Sequence, residues 1–97
     1  MPDSYVVEWR PQAVDDLLGL VRYIAQDNPN RAISFGQELR AQIETLRDYP
    51  LRGRAGRMTG TRELVIHHNY IAVYRVKTRS LRVEILRLKH AARMRGN

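Results

Sequence analysis

The sequence predicts an α+β domain in which a strand, a helical hairpin and a three-stranded antiparallel sheet follow one another. Three runs rich in Val, Ile, Leu and Tyr, at 62–67, 70–76 and 81–89, are separated by connections short enough for β-hairpins. Before them lie two stretches whose apolar residues recur at helical spacing. This order of elements predicts a helical hairpin packed against one face of a small sheet.

The chain begins with a predicted strand over residues 4–10, which ends at Pro11. Side chains alternate along a strand, so three apolar residues share one face. They are Tyr5, Val7 and Trp9. Proline suits the first position of a helix, and Pro11 opens a predicted helix over 12–27. Its apolar stripe comprises Val14, Leu17, Leu18, Val21, Ile24 and Ala25.

A second helix is predicted to start at Asn28-Pro29 and to run to about residue 48, because asparagine caps helices well and proline suits the first turn. Its apolar stripe comprises Ala32, Phe35, Leu39, Ile43 and Leu46. Two helices joined by so short a link form an antiparallel hairpin.

Residues 49–61 are predicted to form a flexible loop, since they include three glycines and show no apolar periodicity. Arginines at positions 52, 54 and 57 make this the densest cationic cluster outside the strands. Two interpretations stay open. The arginines contact an anion such as a phosphate chain, or they only keep a linker solvated.

Length and composition favour a single domain spanning 1–97, because 97 residues with 43% hydrophobic content can build one core but not two. The absence of cysteine excludes disulfides and thiolate chemistry and is typical of a reducing cytoplasm. The first apolar run is far shorter than a signal-peptide core or a spanning helix. We therefore expect a soluble cytoplasmic protein with no membrane partner.

The net charge of +7 is unevenly divided along the chain. Residues 1–50 contain five arginines and eight acidic residues, a balance of −3. Residues 51–97 contain twelve lysines and arginines against Glu63 and Glu84, a balance of +10. This cationic half holds the predicted sheet. Such a field attracts polyanions, either nucleic acid or an acidic protein segment, and charge alone does not choose between them.

A series of short motifs runs in order along nearly the whole chain. The motifs are Trp9-Arg10-Pro11 with Ala13, Asp16-Leu17, Tyr23-Ile24, Gly53-Arg54, Gly56-Arg57, and the stretches 60–65, 70–76 and 83–93. This series resembles the RelE/ParE superfamily of toxins from type II toxin–antitoxin systems. The resemblance implies the fold derived above and a small bacterial protein neutralised by a cognate antitoxin. We expect that antitoxin to bind through an acidic C-terminal segment that folds on binding.

Two activities compete within this superfamily. RelE-like members cut mRNA on the ribosome, whereas ParE-like members poison DNA gyrase without a catalytic set. RelE-like nucleases usually carry an arginine late in the first strand of the three, where this chain has Leu64-Val65-Ile66, and the stretches 74–76 and 83–87 look ParE-like. We therefore favour a gyrase poison. The alternatives are a ribosome-dependent mRNA endoribonuclease and a plain basic nucleic-acid-binding module.

The candidate site residues lie mainly in the cationic half. The predicted target-binding residues are Arg54, Arg57, Arg62, Arg75, Arg87, Lys89, His90 and Arg93. No catalytic residue is favoured, but a nuclease would use Arg62, Arg75, Arg87 and His90. A neutral His90 imidazole could act as a base, although a structural histidine bonded to backbone is the alternative. Strand alternation places Arg87 and Lys89 on one face, and Glu84 and His90 on the other.

No metal or other cofactor is expected. Adjacent His67 and His68 are predicted to point to opposite faces of a strand, which makes them poor ligands for one ion, and no cysteine is available. The aromatic residues Tyr70, Tyr74 and Trp9 suit core packing at least as well as base stacking.

Overall fold

The computed structural model describes residues 4–91, and in this part of the chain the predicted order of elements is confirmed. The elements are β1 Val6–Trp9, α1 Pro11–Ala25, α2 Pro29–Glu44, a 3₁₀ turn Thr45–Arg47, β2 Arg54–Ala55, β3 Arg62–His67, β4 Tyr70–Lys77 and β5 Arg82–His90. Both helices begin at a proline, and the Asn28 side chain caps α2 by accepting a hydrogen bond from the Arg31 N–H at 3.0 Å. Helix α2 is shorter than predicted because its last turn tightens into the 3₁₀ turn.

The five strands form one sheet in the order β1-β5-β4-β3-β2. Strands β2 to β5 pair antiparallel, whereas β1 runs parallel to β5, with Val7 opposite Val83 and Trp9 opposite Ile85. The sequence predicted the first strand but not its partner. The helical hairpin brings the chain back so that the first and last strands of the sheet lie side by side.

The core lies between this sheet and the hairpin. Its buried members are Ala13, Phe35, Leu39, Ile43, Leu46, Leu64, Ile66, Ala72, Tyr74, Val83, Ile85 and Leu88. The predicted stripe of α2 is confirmed, since Leu39 and Ile43 are fully buried. Helix α1 is covered less than predicted, because Ala13 is its one buried residue while Val14 and Leu18 are 40% and 44% exposed.

A register shift between β4 and β5 changes which side chains share a face. Tyr74 lies opposite Ile85, but its neighbour Val73 lies opposite Arg87, so β5 contains an extra residue at this point. The alternation is therefore reversed beyond the shift. Glu84 shares a face with Arg87 and Lys89, and His90 lies on the other, which corrects the prediction made from simple alternation.

We call the face of the sheet opposite the hairpin the outer face. On its two central strands it comprises Ile71, Val73, Arg75 and Lys77 of β4 with their partners Lys89, Arg87, Glu84 and Arg82 of β5. Basic side chains dominate this set.

Candidate functional site

The outer face is organised around the buried carboxylate of Glu84. Arg75 donates to Glu84 Oε1 from Nε at 3.2 Å and from Nη2 at 2.7 Å, and Lys77 Nζ lies 3.5 Å from Oε2. Arg10 Nη1 approaches the same Oε2 at 3.7 Å. The Arg75 guanidinium, followed by the Lys77 charge, holds the pKa of Glu84 below its usual range although burial opposes this. One carboxylate thus orients three cations and leaves the group with net positive charge.

A second buried carboxylate, Glu63, lies at the edge formed by β2 and β3. Arg54 Nη2 lies 3.3 Å from Glu63 Oε1, and the backbone N–H of Arg57 donates to Oε2 at 3.2 Å. The Arg54 side chain is still 63% exposed. Glu63 therefore fixes the backbone of the segment that presents Arg54 and Arg57 to solvent.

The segment predicted as a flexible loop is held to the sheet, which corrects that prediction. The fully buried Tyr74 donates from Oη to the Pro50 carbonyl at 2.8 Å and accepts from the Gly53 N–H at 2.9 Å. Arg62 donates from Nε to the Gly53 carbonyl at 3.0 Å and from Nη2 to the Leu51 carbonyl at 3.2 Å. Four hydrogen bonds over four residues remove the freedom that a glycine-rich sequence suggests.

A cleft of about 640 Å³ lies between α1 and the end of β5. Its lining residues are Asp15, Asp16, Gly19, Leu20 and Tyr23 of α1 with Tyr70, Arg87, Leu88, Lys89 and His90 of the strands. β1 accompanies β5 only from Arg82 to Ile85, so the part of β5 beyond this pairing faces α1. The cleft brings two acidic and three basic or imidazole groups together.

Asp16 closes one wall of this cleft. Its Oδ2 accepts hydrogen bonds from Arg87 Nε at 2.8 Å and from the Leu88 backbone N–H at 2.9 Å, and its Oδ1 lies 3.2 Å from Arg87 Nη2. These bonds raise the pKa of the Arg87 guanidinium above its already high ordinary value. Arg87 is therefore a permanent cation that can bind charge but cannot transfer a proton.

The four residues that a nuclease would use are not brought together. Arg62 lies opposite Tyr74, and His90 lies opposite Tyr70, so the two are separated by four residues along β4, roughly 13 Å. Arg75 lies on the outer face with Glu84. Only Arg87 and His90 line one cavity, the cleft beside α1.

The predicted target-binding residues fall into three places. Arg54 and Arg57 lie at the β2 edge, and Arg75 lies on the outer face. Arg87 and Lys89 also belong to the outer face, at the part of it that borders the cleft, which they line together with His90. Arg62 contacts backbone carbonyls of its own chain. Arg93 lies outside the described residues.

Sequence reasoning missed some of the charged groups that complete these places. Arg10 and Lys77 join Arg75 around Glu84, and Asp16 holds Arg87. The i, i+2 spacing of Arg75 and Lys77 in one strand was a usable signal for a shared face. Asp16 and Arg87 are 71 residues apart in the sequence, so no local sequence pattern predicts their contact.

His67 and His68 do not point away from each other, which corrects the sequence prediction. Their ring centroids lie 4.4 Å apart, because β3 ends at His67 and His68 belongs to the turn that follows. Over residues 4–91 no cluster of three or more His, Cys, Asp or Glu residues is arranged to hold a metal ion.

Neither helix in the described part of the chain has the length and apolarity needed to cross a membrane.

Related proteins share both sequence and fold with this chain. Toxin RelE2 of Caulobacter vibrioides is 36% identical over 88 residues, which cover 91% of this chain and 97% of that toxin. The chromosomal ParDE toxin–antitoxin system from P. aeruginosa contains a chain that superposes with a TM-score of 0.80 at 23% identity, covering 90% of this chain and 96% of that one.

A second solved structure is the toxin–antitoxin complex RelBE2 from Mycobacterium tuberculosis, with a TM-score of 0.60 and 26% identity over 90% of this chain and 98% of its counterpart. Residues 7–95 match the family described as ParE toxin of type II toxin-antitoxin system, parDE. That match spans almost the whole sequence and covers all the strands and helices described above except the first residue of β1, Val6. The chain therefore belongs to the ParE family of toxins of type II toxin–antitoxin systems.

Proposed function

We propose that this toxin inhibits growth by binding and poisoning DNA gyrase, without cutting nucleic acid. The observation that carries the proposal is the engagement of its strand arginines by its own chain. Arg62 donates to loop carbonyls, Arg75 pairs with Glu84, and Arg87 pairs with Asp16. RNA cleavage needs a base, an acid and a cation around one phosphate. The separation of these groups supports a role in binding over one in proton transfer.

We also propose that a cognate antitoxin neutralises the toxin through an acidic C-terminal segment that folds on binding. The balance of +10 over residues 51–97 supports an acidic partner. The neighbouring folds come from toxin–antitoxin complexes, which supports the same pairing. Co-purification with the product of the adjacent reading frame tests it, and a stable chain that is harmless when expressed alone would speak against it.

The second candidate function is ribosome-dependent mRNA cleavage, and the cleft beside α1 favours it. There the permanent cation Arg87 lies near His90, whose ring is in edge contact with Tyr70 at 5.1 Å between centroids. A cation to stabilise a pentavalent phosphate and an imidazole to accept a proton would suffice for partial catalysis. This candidate places the chemistry in the cleft and leaves Arg62 and Arg75 outside it.

Two assays on the purified toxin separate the candidates. The gyrase proposal predicts inhibition of DNA supercoiling and intact mRNA on translating ribosomes. His90→Ala should then change inhibition by less than about twofold, because a binding surface does not depend on one proton acceptor. Arg87→Ala, and the double change Arg93→Ala with Arg95→Ala, should weaken inhibition by removing cations from the binding surface.

The nuclease candidate predicts the opposite pattern. Wild-type toxin would cleave ribosome-bound mRNA at defined codon positions, and His90→Ala would reduce cleavage by about 10²–10⁴-fold. That result would overturn the gyrase proposal. Salt-sensitive binding to free nucleic acid, with no effect on gyrase or on mRNA, would instead favour a plain nucleic-acid-binding module.

A further inference from the structure

An apolar pocket lies beside the segment that carries Arg52, Arg54 and Arg57, and it shares no lining residue with the cleft or the outer face. It has a volume of about 660 Å³ and is lined by Thr45, Tyr49, Pro50, Leu51 and Arg52. Tyr49 is 68% exposed and Leu51 is 64% exposed. Two large apolar side chains displayed together around a proline are typical of a protein interaction site.

The pocket is held in shape before any partner arrives. Its Pro50 and Leu51 carbonyls accept hydrogen bonds from Tyr74 and Arg62, both anchored in the sheet. The Arg52 backbone N–H closes a turn onto the Tyr49 carbonyl at 3.1 Å. Binding to a rigid surface costs less conformational entropy than ordering a mobile loop.

Arg52 gives the pocket an uncompensated charge at its rim. Its Nη1 donates to Thr45 Oγ1 at 2.7 Å, and within residues 4–91 no carboxylate lies within 4.0 Å of its guanidinium. Arg54, Arg75 and Arg87 differ in this respect, since each is paired with a carboxylate. A cation that already lies against a fixed hydroxyl is available to an incoming anion with little loss of rotamer freedom.

We propose that this pocket docks an acidic peptide segment that inserts one apolar side chain between Tyr49 and Leu51 and presents a carboxylate to Arg52. The occupant is the acidic segment of the antitoxin, so the inference rests on the proposed neutralisation. Charge complementarity selects an acidic chain over a basic one. The pocket wall is almost entirely hydrocarbon, which suits an aliphatic or aromatic side chain better than base edges that need hydrogen-bonding partners.

The test is a fluorescence anisotropy titration of the full-length toxin with a labelled peptide that copies the C-terminal segment of the antitoxin encoded beside this gene. Leu51→Ser should raise the Kd about tenfold, because it removes one wall of the anchor pocket. Arg52→Gln should raise the Kd several-fold and flatten its salt dependence, because the charge is lost.

Ile33→Ser is the matched control, since Ile33 is an equally prominent apolar side chain, 61% exposed, on α2. It should leave the Kd within about twofold of wild type. Urea unfolding midpoints of all three variants should match wild type, which separates lost docking from lost folding. Unchanged peptide affinity in both Leu51→Ser and Arg52→Gln overturns the proposal.

A labelled oligothymidylate serves as the second probe. If the pocket variants weaken its binding and leave peptide binding unchanged, the pocket serves nucleic acid and the peptide proposal fails. Gyrase takes no part in either titration. A wild-type toxin that leaves gyrase unaffected would therefore refute only the poisoning proposal. A wild-type toxin that does not bind the peptide would refute the proposed neutralisation and this inference together, whereas wild-type binding that both pocket variants leave unchanged would refute the docking site alone.

Discussion

Strand β4 carries a tyrosine at its first residue and another near its middle, both on the same face, and uses the two differently. Tyr74 is fully buried, and its hydroxyl joins the Pro50 carbonyl to the Gly53 N–H. Tyr70, four residues earlier, is half-buried and lines the cleft with its ring, in edge contact with Phe35 and His90. One tyrosine works through its oxygen and the other through its ring.

This difference separates a fixed end of the molecule from one built around a cavity. At the Tyr74 end, hydrogen bonds hold a glycine-containing segment against the sheet and shape the pocket at Tyr49 and Leu51. At the Tyr70 end, aromatic rings and the ion pair of Asp16 with Arg87 border an open cleft. Losing the buried hydrogen bonds of Tyr74 at the first end should therefore cost more stability than losing the Tyr70 hydroxyl at the second.

The largest effect is expected from Gly53→Ala. A Cβ at this position would lie 2.7 Å from Tyr74 Oη and 2.8 Å from the Glu63 carbonyl oxygen, so the segment must move and lose its hydrogen bonds. We expect the free energy of unfolding to fall by about 3 kcal/mol in urea titrations. Gly19→Ala in α1 is the control, because its methyl group meets nothing within 4 Å and should stabilise the helix by up to about 1 kcal/mol. Equal changes in stability for Gly53→Ala and Gly19→Ala would show that the hydrogen-bonded segment at Gly53 is not more tightly held than the exposed surface of α1.

A smaller loss is expected from Tyr74→Phe. The ring remains, but the Gly53 N–H and the Pro50 carbonyl lose their partner in a buried setting. We expect a destabilisation of about 2 kcal/mol, measured by urea unfolding, together with faster hydrogen exchange at the Gly53 amide. A change below about 0.5 kcal/mol would indicate that water replaces the hydroxyl and that the segment is not held by Tyr74.

The charged pair next to Tyr74 provides a pH-dependent test. The folded-state pKa of Glu84 is lowered, chiefly by Arg75. Its stabilising contribution is therefore complete above the unfolded pKa of about 4.3 and is lost as the pH falls through the folded pKa. Glu84→Gln should lower the free energy of unfolding by about 1 kcal/mol at pH 7.

The difference between wild type and Glu84→Gln should shrink in urea titrations carried out progressively below about pH 4. Glu38→Gln is the matched control, because Glu38 pairs with Arg31 on the exposed side of α2 and that pair is screened by solvent. A difference that stays constant from pH 7 to pH 3 would show that Glu84 contributes through packing and not through its charge.

The smallest effect is expected at the cleft end, from Tyr70→Phe. The Tyr70 hydroxyl makes no hydrogen bond to the residues between Ser4 and Ala91, and phenylalanine keeps the ring contacts. The free energy of unfolding should change by less than about 0.5 kcal/mol. Tyr70→Leu should cost more, because it removes the edge contacts with Phe35 and His90. A loss of stability for Tyr70→Phe as large as that for Tyr74→Phe would show that the two tyrosine hydroxyls contribute equally, against the difference described above.

Local patterns predicted the elements of this fold well. Alternation in the strands and the i, i+3, i+4 spacing in the helices depend on neighbouring residues, so β3 was bounded correctly and Asn28-Pro29 marked the start of α2. The parallel pairing of β1 with β5 and the extra residue near Leu86 depend on contacts between distant segments. No periodicity within one strand contains that information.

The candidate site was predicted less completely for the same reason. The sequence identified the basic half of the chain, but it did not show which of its basic side chains are already bonded to acceptors within the protein. Arg62 looked like a strand cation available for a ligand, yet it donates to carbonyls of a segment that appeared flexible. The function of an arginine depends on the acceptors within reach of its guanidinium, and these are set by the tertiary fold.

The position of β5 between β1 and β4 affects when the toxin first exists during its own synthesis. The strand made first, β1, finds its partner only after residues 82–85 have been added. Until then β1 and β4 both lack the strand that pairs with them in the finished sheet, so each has an unpaired edge. Unpaired strand edges bind readily to other chains. The sheet, and with it the outer face, can be complete only after β5 has been made. A nascent chain that ends before residue 82 therefore lacks both Glu84 and Arg87, the residues around which the outer face and the cleft are organised.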